Sequence, residues 1–172
     1  ESYEIYTNSY SFPRPPLILH IQWHNENIYI INNHYKCCDG SDNFERRVSA
    51  SNLLNEYVYN YLNDEKVIII GDLNDSLDDP YQQNAFSIFI SDPVNYILAD
   101  LDIAIGDSDY WSYPTYPSHI DHIILSSEFS EIYQNGLSTV ETLLLDIIFF
   151  NNWNEYENLV SDHRPIHLTL SF

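Results

Sequence analysis

Lys66-Val67-Ile68-Ile69-Ile70-Gly71-Asp72-Leu73-Asn74 is the stretch on which the reading of this chain turns. Its apolar run is short, β-branched and nearly unbroken, the pattern of a strand buried on both faces of a layered protein. The run closes on Gly71, Asp72 and Asn74, so polar side chains emerge where a buried strand ends. In layered α/β folds binding sites collect at strand ends and on the loops that follow them. An Asp and an Asn in such a place also act as ordinary turn formers bonded to their own backbone. The stretch therefore announces a strand before it announces a site.

The neighbouring segments fit that strand into a layered architecture. Upstream, Leu54, Tyr57, Val58, Tyr61 and Leu62 recur at helical spacing, and Asp42-Asn43-Phe44-Glu45 resembles a capping box at the start of that helix. Further upstream, Leu17, Leu19, Ile21 and Trp23 alternate with polar His20 and Gln22. After a polar break at His24, Asn25 and Glu26 comes a second run over residues 27–33, which predicts a hairpin. Downstream, a second helix is expected over 80–90 and further strands over 120–125 and 166–172. The fold class is α/β in the broad sense (α+β), with helices packed against sheet.

Composition narrows the function. The 172 residues suit one domain, and six Lys plus Arg against 26 Asp plus Glu leave a formal charge of −20. That balance speaks against a passive nucleic-acid binder, which needs basic side chains for phosphate. It leaves open an enzyme that holds phosphate through divalent cations. With 44% hydrophobic and 15% aromatic residues, a packed core is expected and wholesale disorder is excluded. The most apolar run, 143–150, is interrupted by Asp146 and falls far short of the roughly 20 residues of a spanning helix. A chain that begins at Glu1 and contains no Met is expected to be processed, clipped or part of a longer product. Cys37 and Cys38 are adjacent, so a strained vicinal disulfide, partners elsewhere and free thiols all remain open.

Polar clusters recur at the ends of the expected strands: Asn32-Asn33-His34, Gly71-Asp72-Leu73-Asn74, Ser118-His119-Ile120-Asp121-His122 and Ser161-Asp162-His163-Arg164-Pro165. Any one could be a turn; together they place imidazoles, carboxylates and an amide at neighbouring strand ends. His119 and His122 are expected on opposite sides of their strand, not as a metal pair. The loop 111–117, rich in aromatics and Pro, is expected to pack as a lid. Arg46 and Arg47 suit structural roles, and Arg164 suits either an acidic partner or substrate. Asn74-Asp75-Ser76 matches a glycosylation acceptor but overlaps the candidate site, and is read as coincidence.

These clusters, with Phe12-Pro13-Arg14-Pro15-Pro16-Leu17 before them, run in the order that resembles the endonuclease/exonuclease/phosphatase superfamily. This group includes deoxyribonuclease I, and the likeness is greatest to its bacterial secreted endonuclease-like members. The resemblance extends from about Tyr10 to the end of the chain. It implies a two-sheet β-sandwich flanked by helices, with residues 1–172 forming the C-terminal portion of a single domain. The N-terminal portion, with the family's metal-binding Glu, is absent from this sequence, and Glu1 and Glu4 are not placed to replace it. A companion segment is therefore expected, because uncovered apolar sheet costs on the order of 25 cal/mol per Å².

By the same resemblance, His163 is the base toward water, oriented by Asp121, and His34 is the acid or a phosphate donor. Asp162 and Asp72 would hold Mg²⁺, Mn²⁺ or Ca²⁺, and Asn74 would bond phosphate or the attacking water. Arg14 would clamp phosphate, with Asn32 as a further contact. The implied activity is divalent-metal-dependent phosphodiester hydrolysis, as an endonuclease on DNA or RNA, in an extracellular or cell-envelope setting. Activity of this chain alone is doubtful on that reading. The alternatives are a phosphomonoesterase or phospholipid head-group hydrolase of the same fold, and a non-catalytic assembly subunit.

Overall fold

The computed structural model describes residues 8–23 and 25–172. Glu1, Glu4 and His24 lie outside the described residues. Strands β1 (Leu17–Trp23) and β2 (Glu26–His34) form the antiparallel hairpin, turning through Asn25 at φ 66°. Asn tolerates that left-handed conformation better than most residues do. Helix α1 (Ser41–Tyr61) then carries the chain to β3 (Lys66–Asp72), which pairs parallel to β2. Short elements follow: α2 (Ser87–Ile90), β4 (Tyr96–Leu98), α3 (Leu101–Ala104), β5 (Asp121–Ser126) and α4 (Ser130–Tyr133). The described chain closes with β6 (Thr139–Thr142), α5 (Trp153–Leu159) and β7 (Ile166–Thr169). Among the described residues the sheets are β1-β2-β3-β5-β4 and β6-β7.

The larger sheet buries its two faces unequally. On one face α1 lays Ala50, Leu54, Tyr57 and Val58 over Ile31, Val67 and Ile69, all of them buried. On the other, Ile28, Ile123 and Leu125 are buried, while Ile30, Ile68 and Ile70 are only partly covered by Val140, Ile166 and Leu168 of the small sheet. A cavity of about 440 Å³ remains there, lined by Ile30, Ile68, Ile70, Ile166, Leu168 and Leu170. So β3 is fully buried on one face and not on both, because two short strands cannot cover five. The same shortfall reaches β1, whose apolar face is in water, with Leu17 66% and Leu19 51% exposed.

Several local expectations change for identifiable reasons. The first helix starts at Ser41 behind Gly40 (φ 110°), with no side-chain cap, and Asn43 Nδ2 donates to the Asp39 carbonyl instead of completing a capping box. Residues 80–90 do not form one helix. Asn84 is extended there, and its amide donates to the carbonyls of Ser76, Leu77 and Asp79 while its Oδ1 accepts from the Phe86 N–H. One side chain with those partners holds the backbone out of helical geometry, leaving a 3₁₀ turn (Tyr81–Gln83) and α2. The last strand ends at Thr169, short of residue 172.

Candidate active site

Strand register assembles the site. Along β2, Ile28, Ile30, Asn32 and His34 share one face; along β3, Ile68, Ile70 and Asp72 share it, and along β5, Asp121, Ile123 and Leu125 do so too. Rows across the sheet read Ile30–Ile68–Leu125, then Asn32–Ile70–Ile123, then His34–Asp72–Asp121. On β3 and β5 the face that forms the inter-sheet core thus turns polar in a single step at the strand ends, while β2 turns polar one row earlier, at Asn32. Gly71 permits this delivery: its φ is 136°, and a Cβ there would lie 1.8 Å from the Asn33 carbonyl oxygen. Only glycine lets β3 pass so close to β2 and still present Asp72.

Each side chain in that row is held. Asp72 Oδ2 lies 3.3 Å from His34 Nε2, and Asp72 Oδ1 accepts the Asn74 N–H at 3.1 Å. Asn74 sits at φ 53°, and its amide donates to the Tyr35 carbonyl at 3.4 Å. From the loop before β7, His163 Nδ1 donates to Asp121 Oδ2 at 2.7 Å. The His163 N–H donates to Ser161 Oγ, its carbonyl accepts from the Tyr156 hydroxyl, and the Tyr113 ring lies 4.8 Å away. Two imidazoles therefore bracket two carboxylates in the order His34, Asp72, Asp121, His163.

The electrostatics follow from this crowding. Burial raises the Asp72 carboxyl above its ordinary range, and the Asp121 charge adds to this, more than His163, His34 and the Asn74 N–H pull it down. At His163 burial favours the neutral ring, but the hydrogen bond to Asp121 and the charges of Asp121, Asp72 and Asp162 outweigh it, so its pKa is raised above 6.5. With Nδ1–H committed to a carboxylate, the proton-accepting nitrogen is Nε2.

These groups line one open pocket of about 850 Å³. His34, Asp72, Asn74, Asp121, Asp162 and His163 share its wall with Cys37, Cys38, Asp39, Tyr113 and Tyr116. Arg14 and Asn32 do not line it. Arg14 is exposed in the segment before β1, and Asn32 is exposed one row short of His34, between Leu17 and Ile70. Substrate contact by these two is not supported by their placement. The loop 111–117 is a lid only in part. Trp111 Nε1 anchors it to the Ile103 carbonyl, whereas Tyr113 and Tyr116 face the pocket. Arg164 is engaged elsewhere, with two 2.9 Å bonds to Asp146. Arg47 binds Asp75 at 2.8 Å, and Arg46 donates to the Tyr10 carbonyl, so both are structural.

Sequence reasoning missed Asp100. His119 and His122, expected on opposite sides, converge on it, because His119 precedes β5 and escapes strand alternation. The ligand atoms of Asp100, His119 and His122 lie within 4.8 Å of one another, a spacing that could hold a metal ion. Yet every ring nitrogen already has a protein partner. His119 Nε2 and His122 Nδ1 donate to Asp100 Oδ2 at 2.9 and 2.6 Å. His119 Nδ1 accepts the Ser112 N–H, and His122 Nε2 donates to the Asp75 carbonyl. Asp100 Oδ1 accepts the Ile123 N–H at 2.7 Å. A ring that donates from both nitrogens is an imidazolium, and Asp100 raises the His122 pKa above 6.5 against the effect of burial. The cluster is a buried brace joining Asp75, beside Asn74, to Ile123, two residues from Asp121.

No protein-family model matches the sequence, and no curated protein does either. Solved structures do match. D. rerio TDP2, complexed with a single-strand DNA product, is 16% identical with a TM-score of 0.61, over 91% of this chain and 61% of that one. Staphylococcus aureus beta toxin, as a variant with bound magnesium ions, is 18% identical with a TM-score of 0.56, over 90% and 57%. An AP endonuclease from Archaeoglobus fulgidus is 11% identical with a TM-score of 0.60, over 90% and 65%. The chain spans less than two thirds of the length of each. These structures share the deoxyribonuclease I-like fold of the endonuclease/exonuclease/phosphatase superfamily, and this chain has that fold.

Proposed function

We propose that the pocket of this deoxyribonuclease I-like chain is the active site of a divalent-metal-dependent phosphoester hydrolase, acting on nucleic acid as an endonuclease. The observation that carries the reading is the convergence of the His34–Asp72 and Asp121–His163 pairs, with Asp162, on one pocket. The wall contains Asp39, Asp72, Asp121 and Asp162 and no Lys or Arg, so an anionic phosphate entering it needs a cation. Hard carboxylate oxygens suit Mg²⁺, Mn²⁺ or Ca²⁺, with Asp72 and Asp162 as holders. A bound ion would neutralise charge on the phosphoryl oxygens.

The side chains divide the remaining work. His163 Nε2 takes the proton of the attacking water, while Asp121 fixes the tautomer and stabilises the imidazolium that results. His34, paired through Nε2 to Asp72, serves as acid or phosphate donor, and Asn74 offers an amide to phosphate or water. The chain is read as the C-terminal portion of one domain. Its span of less than two thirds of its structural neighbours, its exposed β1 face and its inter-sheet cavity support a companion segment that completes the sandwich. An extracellular or cell-envelope location belongs to the same reading.

A second reading, hydrolysis of a phosphomonoester or phospholipid head group, is favoured by the charge of −20, which repels extended polyanions. The test gives the chain, alone and joined to its companion segment, plasmid DNA, RNA, a sugar phosphate and a head-group phosphodiester with Mg²⁺. Nucleic-acid cleavage that is lost with EDTA, and about 10²–10⁴-fold slower in His163→Ala, is expected. Faster turnover of the small esters would establish the second reading. No metal-dependent turnover of any substrate would leave a non-catalytic assembly subunit.

A further inference from the structure

The loop between β2 and α1 places two sulfurs on the pocket wall. Cys37 Sγ and Cys38 Sγ lie 2.7 Å apart, and Lys36 Nζ lies 3.8 Å from Cys37 Sγ. We propose that Cys37 and Cys38 form a reversible oxidation site, in which Cys37 attacks a small-molecule disulfide of the glutathione class and Cys38 resolves the adduct into a vicinal disulfide.

The backbone is held for this. The buried guanidinium of Arg47, anchored on Asp75, donates through Nη1 to the carbonyls of both Lys36 and Cys38, at 3.1 and 3.0 Å. Cys38 occupies the left-handed region at φ 76°, which an L residue keeps only where its surroundings impose it. A disulfide bond is about 2.05 Å long, so closing the pair needs a sub-ångström approach of the sulfurs. Adjacent Cα atoms sit about 3.8 Å apart, below the 4.4–6.8 Å usual for disulfides, so the ring is strained and easily reduced. Strained, accessible disulfides are the labile ones.

The two thiols are not equivalent. The contact with Cys38 lowers the Cys37 pKa, burial opposes this and Lys36 adds to the lowering; the same contact with Cys37 raises Cys38. Cys37 is thus the thiolate nucleophile. Its attack on the small disulfide forms a mixed disulfide and releases one thiol, which takes up a proton. Cys38 then gives up its proton and attacks the Cys37 sulfur, releasing the second thiol. The protein loses two protons and two electrons, and the small disulfide gains them as it becomes two thiols.

The test titrates the chain through mixtures of reduced and oxidised glutathione, traps free thiols with iodoacetamide and reads intact mass. The wild-type chain should pass to a monomer lighter by two hydrogens, resistant to alkylation and restored by dithiothreitol. Cys38→Ser should stop with one glutathione on Cys37, and Cys37→Ser should react about tenfold more slowly or less. The proposal is overturned if the wild type accumulates the mixed disulfide, forms covalent dimers or stays fully alkylatable at every ratio. Equal rates for the two single variants would also overturn it. The readout is mass, so it stands apart from the hydrolase reading.

Discussion

Asp100→Asn tests the claim that the buried cluster behind the pocket is an ionic brace. Asp100, His119 and His122 have side chains at 0% exposure. Asp100 accepts three protein hydrogens, from His119 Nε2, His122 Nδ1 and the Ile123 N–H. An amide has one oxygen, so at least one of these hydrogens must face an NH₂ group, and the His122 imidazolium loses its counter-charge. Removing one partner of a buried pair costs about 3–5 kcal/mol. With urea slopes of about 1–3 kcal/mol/M, the midpoint should fall by roughly 2 M. The sign with pH follows from both partners. The His122 pKa is raised above 6.5, so the contribution of that ring is complete below the unfolded value and fades as pH rises through the folded one. Although burial opposes it, His122 and His119 hold the Asp100 carboxyl well below 3.8, so its contribution is present above 3.8 and is lost as pH falls through the folded value. Urea unfolding followed by circular dichroism at about pH 6 and about pH 9 should show a wild-type-to-variant gap that is larger at the lower pH. A loss under about 1 kcal/mol, an equal gap at both pH values, or a chelator that destabilises the wild type as much as the substitution does would refute the brace.

Three further outcomes are expected. Asp121→Asn removes the main group raising the His163 pKa, so the acidic limb of the pH–rate profile, above pH 6.5 in the wild type, should move to lower pH while the rate at its plateau falls. Arg164→Lys gives up one of the two parallel 2.9 Å bonds to Asp146 and should lower unfolding stability by about 1.5–3 kcal/mol in a denaturant titration. Gly71→Ala places a methyl 1.8 Å from the Asn33 carbonyl at φ 136°, and should give misfolded, insoluble chain on expression. Gly136→Ala, at φ 79° with nothing within 4 Å of a Cβ, should stay soluble and lose only the roughly 1–3 kcal/mol of backbone strain.

Much of the fold was legible because it rests on short-range patterns. The Leu17–Trp23 alternation, the 67–70 apolar run and the Leu54/Tyr57/Val58 spacing reappear as β1, β3 and the buried stripe of α1. The expected helix over 80–90 failed because Asn84 binds carbonyls five to eight residues earlier, a loop closure with no periodic signature. Pairing between His119 and His122 was missed for a similar reason: their meeting point, Asp100, arrives from a different strand end. Nothing in the residues around Asp100 marks it as buried.

By itself, the sequence determined which side chains stand at strand ends, because an apolar run stops where its polar residue begins and alternation fixes the face. That reading supplied the polar clusters, and the resemblance picked His34, Asp72, Asn74, Asp121, Asp162 and His163 out of them as a set. Only the tertiary structure decided that β2, β3 and β5 pair in a register that aligns His34, Asp72 and Asp121 in one row, and that Arg14, Asn32 and Arg164 are spent elsewhere or left outside. Alternation fixes which face each strand buries, but not which residue of a strand tens of positions away lies opposite it; for β2, β3 and β5 that pairing is settled only where the sheet packs.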